Sequence, residues 1–167
     1  VHSTQDSATL NPFGLLIFGS LAAPVPRVLP NKVVILDAMN AAIATSLEQL
    51  VETLGDPQPQ IYQRLYAQYP DTKALFVLDT DGGVRGSMLQ TTLETILDYA
   101  AKDRLDDVSL SAWRSHHQGY DVEPDTFSNF FVIIRDCAKD TLGESWSAEM
   151  EDAWQGLIHA VRDNAKA

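Results

Sequence analysis

Between Asp37 and Val161 apolar side chains recur at three-and-four spacing, and glycine or proline closes most of the runs. Ile43, Leu47, Leu50, Val51 and Leu54 make a first apolar face, ended by Gly55. Asp56 then offers a cap and Pro57 a first turn to a helix carrying Ile61, Tyr62, Leu65, Tyr66 and Tyr69, which Pro70 breaks. A long helix from Val84 presents Met88, Leu89, Thr92, Leu93, Ile96, Leu97 and Ala100 and stops at Lys102-Asp103-Arg104. The stretch from Leu105 to Gln118 is expected to turn Val108, Ala112 and Trp113 inward. Phe127, Phe130, Phe131, Ile134 and Ala138 form a thick stripe that ends at Leu142-Gly143. Ser147 caps a last helix with Glu149 and Glu151 in its first turn and Met150, Trp154, Leu157, Ile158 and Val161 on its buried face. Short connectors and no credible sheet make this an all-α fold packed by ridges and grooves.

The tightest corner in that pattern falls between His116-His117 and Pro124. Gly119 is suited to the left-handed residue that closes a helix, and Pro124 to the first position of the next. A histidine in the last turn before such a corner has two readings. It can cap the final carbonyls and interact with the dipole, or it can aim its ring across a gap at something packed against the helix.

The chain has 167 residues and a formal net charge of -11, so it is long enough for one domain with a real core and carries a surface that repels phosphate backbones and anionic headgroups. Lysine and arginine are scattered singly, which points away from nucleic acid and from membranes as partners. The one cysteine, Cys137, excludes an intrachain disulfide and a thiolate zinc cluster; it reads as a core residue in a reducing compartment, the cytoplasm. The apolar run Pro12 to Val25 is too short for a bilayer and has no lysine or arginine before it. Residues 1–36 are therefore read as an N-terminal extension that packs loosely on a domain at 37–167, rather than as the remnant of a secretion signal.

Ala74-Leu75-Phe76-Val77-Leu78 has the composition of a short buried strand, and Asp79-Thr80-Asp81-Gly82 follows it. That order resembles the nucleophile motif of haloacid-dehalogenase phosphohydrolases, but those enzymes need a parallel sheet and usually a threonine where Gly83 stands. The spacing also fails as a calcium loop. The Asp-Gly cluster is left as a solvated loop.

An all-helical chain of this length, with a histidine ending one helix before a phenylalanine-rich one, resembles the globins, in particular single-domain bacterial globins related to the flavohaemoglobin globin domain. The likeness spans residues 41–163. His117, Val122 and Pro124 match the spacing from the haem-ligating histidine to the proline of the next helix, whereas His116 is one residue out of register. The run Ile61 to Pro70 is similar to the segment carrying a distal-pocket tyrosine, which falls on Tyr62. Phe76 corresponds to the phenylalanine that stacks on haem, the helix from Val84 to the distal helix, and Trp154 to a tryptophan common in the last helix.

The resemblance implies a haem b cofactor, with His117 as the metal ligand and reversible binding of dioxygen or another diatomic gas such as NO or CO, as in oxygen transport or storage. Neutral imidazole is a strong axial donor, and its other ring nitrogen is expected to donate to a carbonyl or hydroxyl that fixes the tautomer. His116 is expected to face solvent or a propionate. Tyr62 is either the donor to the gas ligand or a core tyrosine whose hydroxyl reaches a rim carbonyl. Arg85 can donate to ligand, pair with a haem propionate or face solvent, with Val84 taking its place if the register slips by one. Phe76, Met88, Leu89, Val122, Phe127 and Phe130 are expected to line the porphyrin, and ordinary core packing would look the same.

Two departures from that group stand out. The glutamine usually paired with the distal tyrosine falls on Arg85, and the tyrosine beside the proximal histidine falls on Phe127. With neither the carboxylate of the proximal relay nor a reductase module within these 167 residues, a self-sufficient nitric-oxide dioxygenase is less expected. An enzyme fed by an external reductase (NO dioxygenase or peroxidase-like), a gas sensor, a haem-free relative and a homodimer are the other arrangements the resemblance admits.

Overall fold

The structure is a computed structural model that describes residues 32–166, with side chains described from Ala41 onward. The reading of residues 1–36 as a loosely packed extension, and of Pro12 to Val25 within it, lies outside the described residues except where the first helix begins. That helix, α1, spans Lys32–Leu54 and so crosses the division expected at 36/37. It is followed by α2 (Gln58–Gln68), a 3-10 helix (Pro70–Phe76), α3 (Gly83–Lys102), α4 (Asp107–Gln118), α5 (Pro124–Leu142), a short 3-10 turn (Gly143–Ser145) and α6 (Ala148–Asn164). No strand occurs among the described residues, so the fold is all-α.

The helix ends follow local chemistry. Gly55 closes α1 at φ 70, and the Asp56 carboxylate accepts from the Gln58 amide to open α2. Asp106 and Ser147 cap α4 and α6 by accepting from the Ser109 and Met150 amides. α1 lies against α6, α3 and α5, and α2 lies against α5 and the 3-10 helix. Ile43, Leu50, Ile61, Ile96, Ile134 and Trp154 are fully enclosed where these helices meet.

Several expectations are overturned. Ala74 to Leu78 is not a buried strand: the 3-10 helix runs through Phe76, Leu75 is exposed, and Leu78 is 90% exposed. The phosphohydrolase motif thereby loses its strand. On α4 the inward residues are Leu110 and Arg114, while Val108 is 81% exposed, Ala112 is exposed and Trp113 stands half out. Val51 and Leu97 also face solvent. At the corner, Gly119 keeps right-handed helical angles (φ -64, ψ -12), and Asp121 takes the left-handed conformation at φ 58. Aspartate tolerates that region because its short polar side chain bonds locally. Pro124 opens α5 as expected.

Candidate functional site

α2, the 3-10 helix, α3, α4 and α5 surround an apolar cleft of about 280 Å³. Leu65 and Tyr62 come from α2, Phe76 and Leu75 from the 3-10 helix, Met88 from α3, Trp113 and His117 from α4, Val122 from the corner, and Phe127, Phe130 and Phe131 from α5. Leu75, Ser87 and Trp113 are the exposed members, which puts them at the mouth.

On the α4 wall the His117 Nδ1 lies 2.8 Å from the Trp113 carbonyl, four residues back in the same helix. A carbonyl only accepts, so Nδ1 carries the hydrogen and the neutral ring keeps its free lone pair on Nε2. Phe127 packs against the imidazole at a ring separation of 5.1 Å, and the Val122 amide donates to the His117 carbonyl at 3.2 Å, which ties the corner to the end of α4. His116 is exposed, lines no part of the cleft, and meets Tyr120 edge-on at 5.2 Å.

On the α2 wall Tyr62 is buried among Phe76, Phe130 and Tyr66, with ring separations of 5.5, 5.7 and 6.0 Å. Its hydroxyl donates to the Arg85 carbonyl at 3.0 Å. Burial raises the phenol well above its ordinary range, so it stays a protonated donor.

Of the residues expected at the site, Tyr62, Phe76, Met88, His117, Val122, Phe127 and Phe130 meet at the cleft. Leu89 and Arg85 stand outside it. Leu89 is one residue, hence a large angular step, past Met88 and points into the core, and Val84 is exposed. Arg85 is held elsewhere: its Nε donates to the Asp79 carboxylate at 2.8 Å and its terminal nitrogen to the Asp79 carbonyl at 2.9 Å.

Sequence reasoning missed Asp79. The sequence pattern puts it in a solvated loop, yet it is 7% exposed and closes the start of α3, accepting from the Val84 amide at 2.9 Å and the Arg85 amide at 3.1 Å. Burial alone would raise its carboxyl, but the Arg85 guanidinium and those two amides outweigh this and hold it below its ordinary value. The available signal was an aspartate a few residues ahead of a helix whose own cap position is Gly82. The α3 wall also brings Ser87, Thr91, Thr92 and Thr95 to the cleft; of these only Thr92 carried an apolar-face signal in the sequence.

Among the described residues no group of three or more His, Cys, Asp or Glu could hold a metal by itself. A lone imidazole lone pair on one wall, a phenol on another and aromatic side chains around them fit instead a flat, largely apolar prosthetic group whose metal takes one ligand from the chain. No described helix is long and apolar enough to cross a membrane.

A family model described as Globin matches residues 59–165, from the start of α2 to the end of α6. No curated protein and no solved structure matches the chain. The matched segment contains every residue that forms the cleft, and the chain belongs to the globin family, whose members typically bind haem and small diatomic gases.

Proposed function

We infer that this chain holds haem b in the cleft with His117 as its axial ligand and binds dioxygen, or NO or CO, reversibly. The observation that carries the reading is the hydrogen bond from His117 Nδ1 to the Trp113 carbonyl at 2.8 Å, which leaves Nε2 as the lone pair at a wall of an apolar cleft. When bound, the haem iron supplies a coordination position for a diatomic gas. His117 binds and orients the group, Phe127 restrains the imidazole from the side, and Phe76, Phe130, Met88 and Val122 exclude water from around it. Tyr62 is the side chain whose hydrogen can be offered to a ligand of partial negative charge in a dry pocket.

The likeness to bacterial globins of the flavohaemoglobin group is part of this proposal, supported by His117, Val122, Tyr62 and Phe76 all reaching one cleft. The domain proposed at 37–167 has its first helix reaching back to Lys32. Cys137, free and buried, is compatible with the reducing cytoplasm in which we place the protein.

Absorption spectra of the purified protein with haemin, ferric and then ferrous with carbon monoxide, test the reading. A Soret band and a carbon monoxide shift are expected; a colourless protein overturns it. Turnover with a generic external reductase would distinguish an NO dioxygenase or peroxidase from a carrier.

A further inference from the structure

The threonine hydroxyls on the α3 wall are already engaged. The Thr91, Thr92 and Thr95 hydroxyls donate to carbonyls one turn back at 3.0, 2.9 and 2.8 Å. Tyr62 also gives its hydrogen to a backbone carbonyl, but one on a different helix, that of Arg85 in the first turn of α3. A carbonyl has two lone pairs, so this one can serve both its helix and the phenol. Where it sits depends on what closes α3, and that is the Asp79 carboxylate, whose side chain is 3% exposed and which binds two amides and the Arg85 guanidinium at once.

α2 and α3 also meet closely at this point. Gln58 donates to the Gly82 carbonyl at 3.2 Å, and its Oε1 lies 3.1 Å from where a Cβ on Gly86 would stand. Tyr62 follows one turn after Gln58 on α2, which brings its hydroxyl to the Arg85 carbonyl.

We propose that Asp79 is a positioning residue for Tyr62: by clasping the first turn of α3 it presents the Arg85 carbonyl as the resting acceptor of the phenol hydrogen. A diatomic ligand then gains Tyr62 as a donor only by competing with that carbonyl. The inference rests on the reading of the cleft as a haem and gas site. It assigns control of ligand retention to a carboxylate that lines no part of the cleft.

The test uses the full chain reconstituted with haemin and compares wild type with Tyr62→Phe, Asp79→Asn, Arg85→Ala and the Tyr62→Phe/Asp79→Asn double variant. Two readouts are taken, the dioxygen off-rate and the infrared stretch of ferrous-state carbon monoxide, which falls when a donor approaches the ligand. Tyr62→Phe is expected to raise the off-rate. Asp79→Asn and Arg85→Ala, which loosen the clasp but keep the carbonyl, are expected to lower it by about two- to tenfold, the range of one net hydrogen bond, and to lower the stretch. In the double variant Asp79→Asn should add nothing to Tyr62→Phe. Arg85→Ala keeps the test open if Asp79→Asn does not fold, since the Asp79 bonds to the backbone amides remain.

If Tyr62→Phe changes neither readout, if both clasp variants leave the off-rate unchanged or raise it, or if their effect survives without the Tyr62 hydroxyl, the positioning role is overturned while haem binding stands. If wild type takes up no haem, both readings fall together.

Discussion

The Trp154 indole donates to the Ser46 hydroxyl at 2.9 Å, joining the last helix to the first across 108 residues of sequence. Ser46 in turn donates to the Ile43 carbonyl at 2.7 Å, and both side chains are fully buried. Ser46→Ala leaves a buried indole N–H without an acceptor and should cost about 1–3 kcal/mol. Urea unfolding checks this, and in a Trp154→Phe background the same substitution should cost much less, because the donor is gone.

His117→Ala removes the free imidazole lone pair at the α4 wall, so haemin should bind weakly or give an altered Soret band, with added imidazole restoring the spectrum. His116→Ala, at an exposed ring outside the cleft, should leave it unchanged. The opposite pattern would move the ligand assignment to His116.

Arg114 reaches from α4 to the end of α6, donating to the Asn164 carbonyl at 3.2 Å, the Asn164 side-chain oxygen at 2.9 Å and the Val161 carbonyl at 3.4 Å. Its guanidinium also lies 5.5 Å from the centre of the Phe127 ring that supports His117. Arg114→Ala releases the terminal carbonyls of α6 and is expected to destabilise the fold by about 2–3 kcal/mol. Amide exchange in the last turn of α6 should speed up along with a lower urea midpoint. Unchanged exchange would mean that this guanidinium does not hold the helix end.

Glu151 gathers the start of α6 onto α5. Its carboxylate accepts from Lys139 at 2.8 Å, Trp146 at 2.9 Å and Gln155 at 3.1 Å. The Lys139 ammonium and then Gln155 lead the groups that hold its carboxyl at about 2 against an ordinary 4.5, with burial opposing them and Trp146 adding to them. A carboxyl depressed in the folded state takes up its proton first in the unfolded chain, so its contribution is complete above the ordinary value of 4.5 and is lost as pH falls toward about 2. Because Lys139 is half exposed and screened, Glu151→Gln should cost only about 1 kcal/mol at neutral pH. It should also flatten the fall in stability below pH 4.5, read from urea midpoints at several pH values.

Much of this architecture is legible from residue order. The three-and-four runs name the buried faces of α2, α5 and α6, Gly55 ends the helix it was expected to end, and Pro124 opens α5. These are local effects: a period, a missing Cβ and a missing N–H act on the chain within a turn of themselves. The same local signals mark the His116-His117 corner, whereas His117 over His116, and Tyr62, stand out only through the resemblance to the globins.

The chain's own order could not supply the partners of buried polar groups. Ser46 is enclosed because Trp154 arrives from the far end of the sequence, Arg114 because Asn164 does, and the Tyr62 hydrogen rests on Arg85 because two helices cross. The same limit explains Val108 and Leu78, apolar side chains that look buried by composition yet are 81% and 90% exposed. Residue sequence by itself determined the main α-helices and many of their ends, and its likeness to a family marked His117 and Tyr62. Tertiary structure alone decided which polar atoms meet, because a hydrogen bond between residues 23 to 108 positions apart depends on how whole helices pack rather than on any local preference.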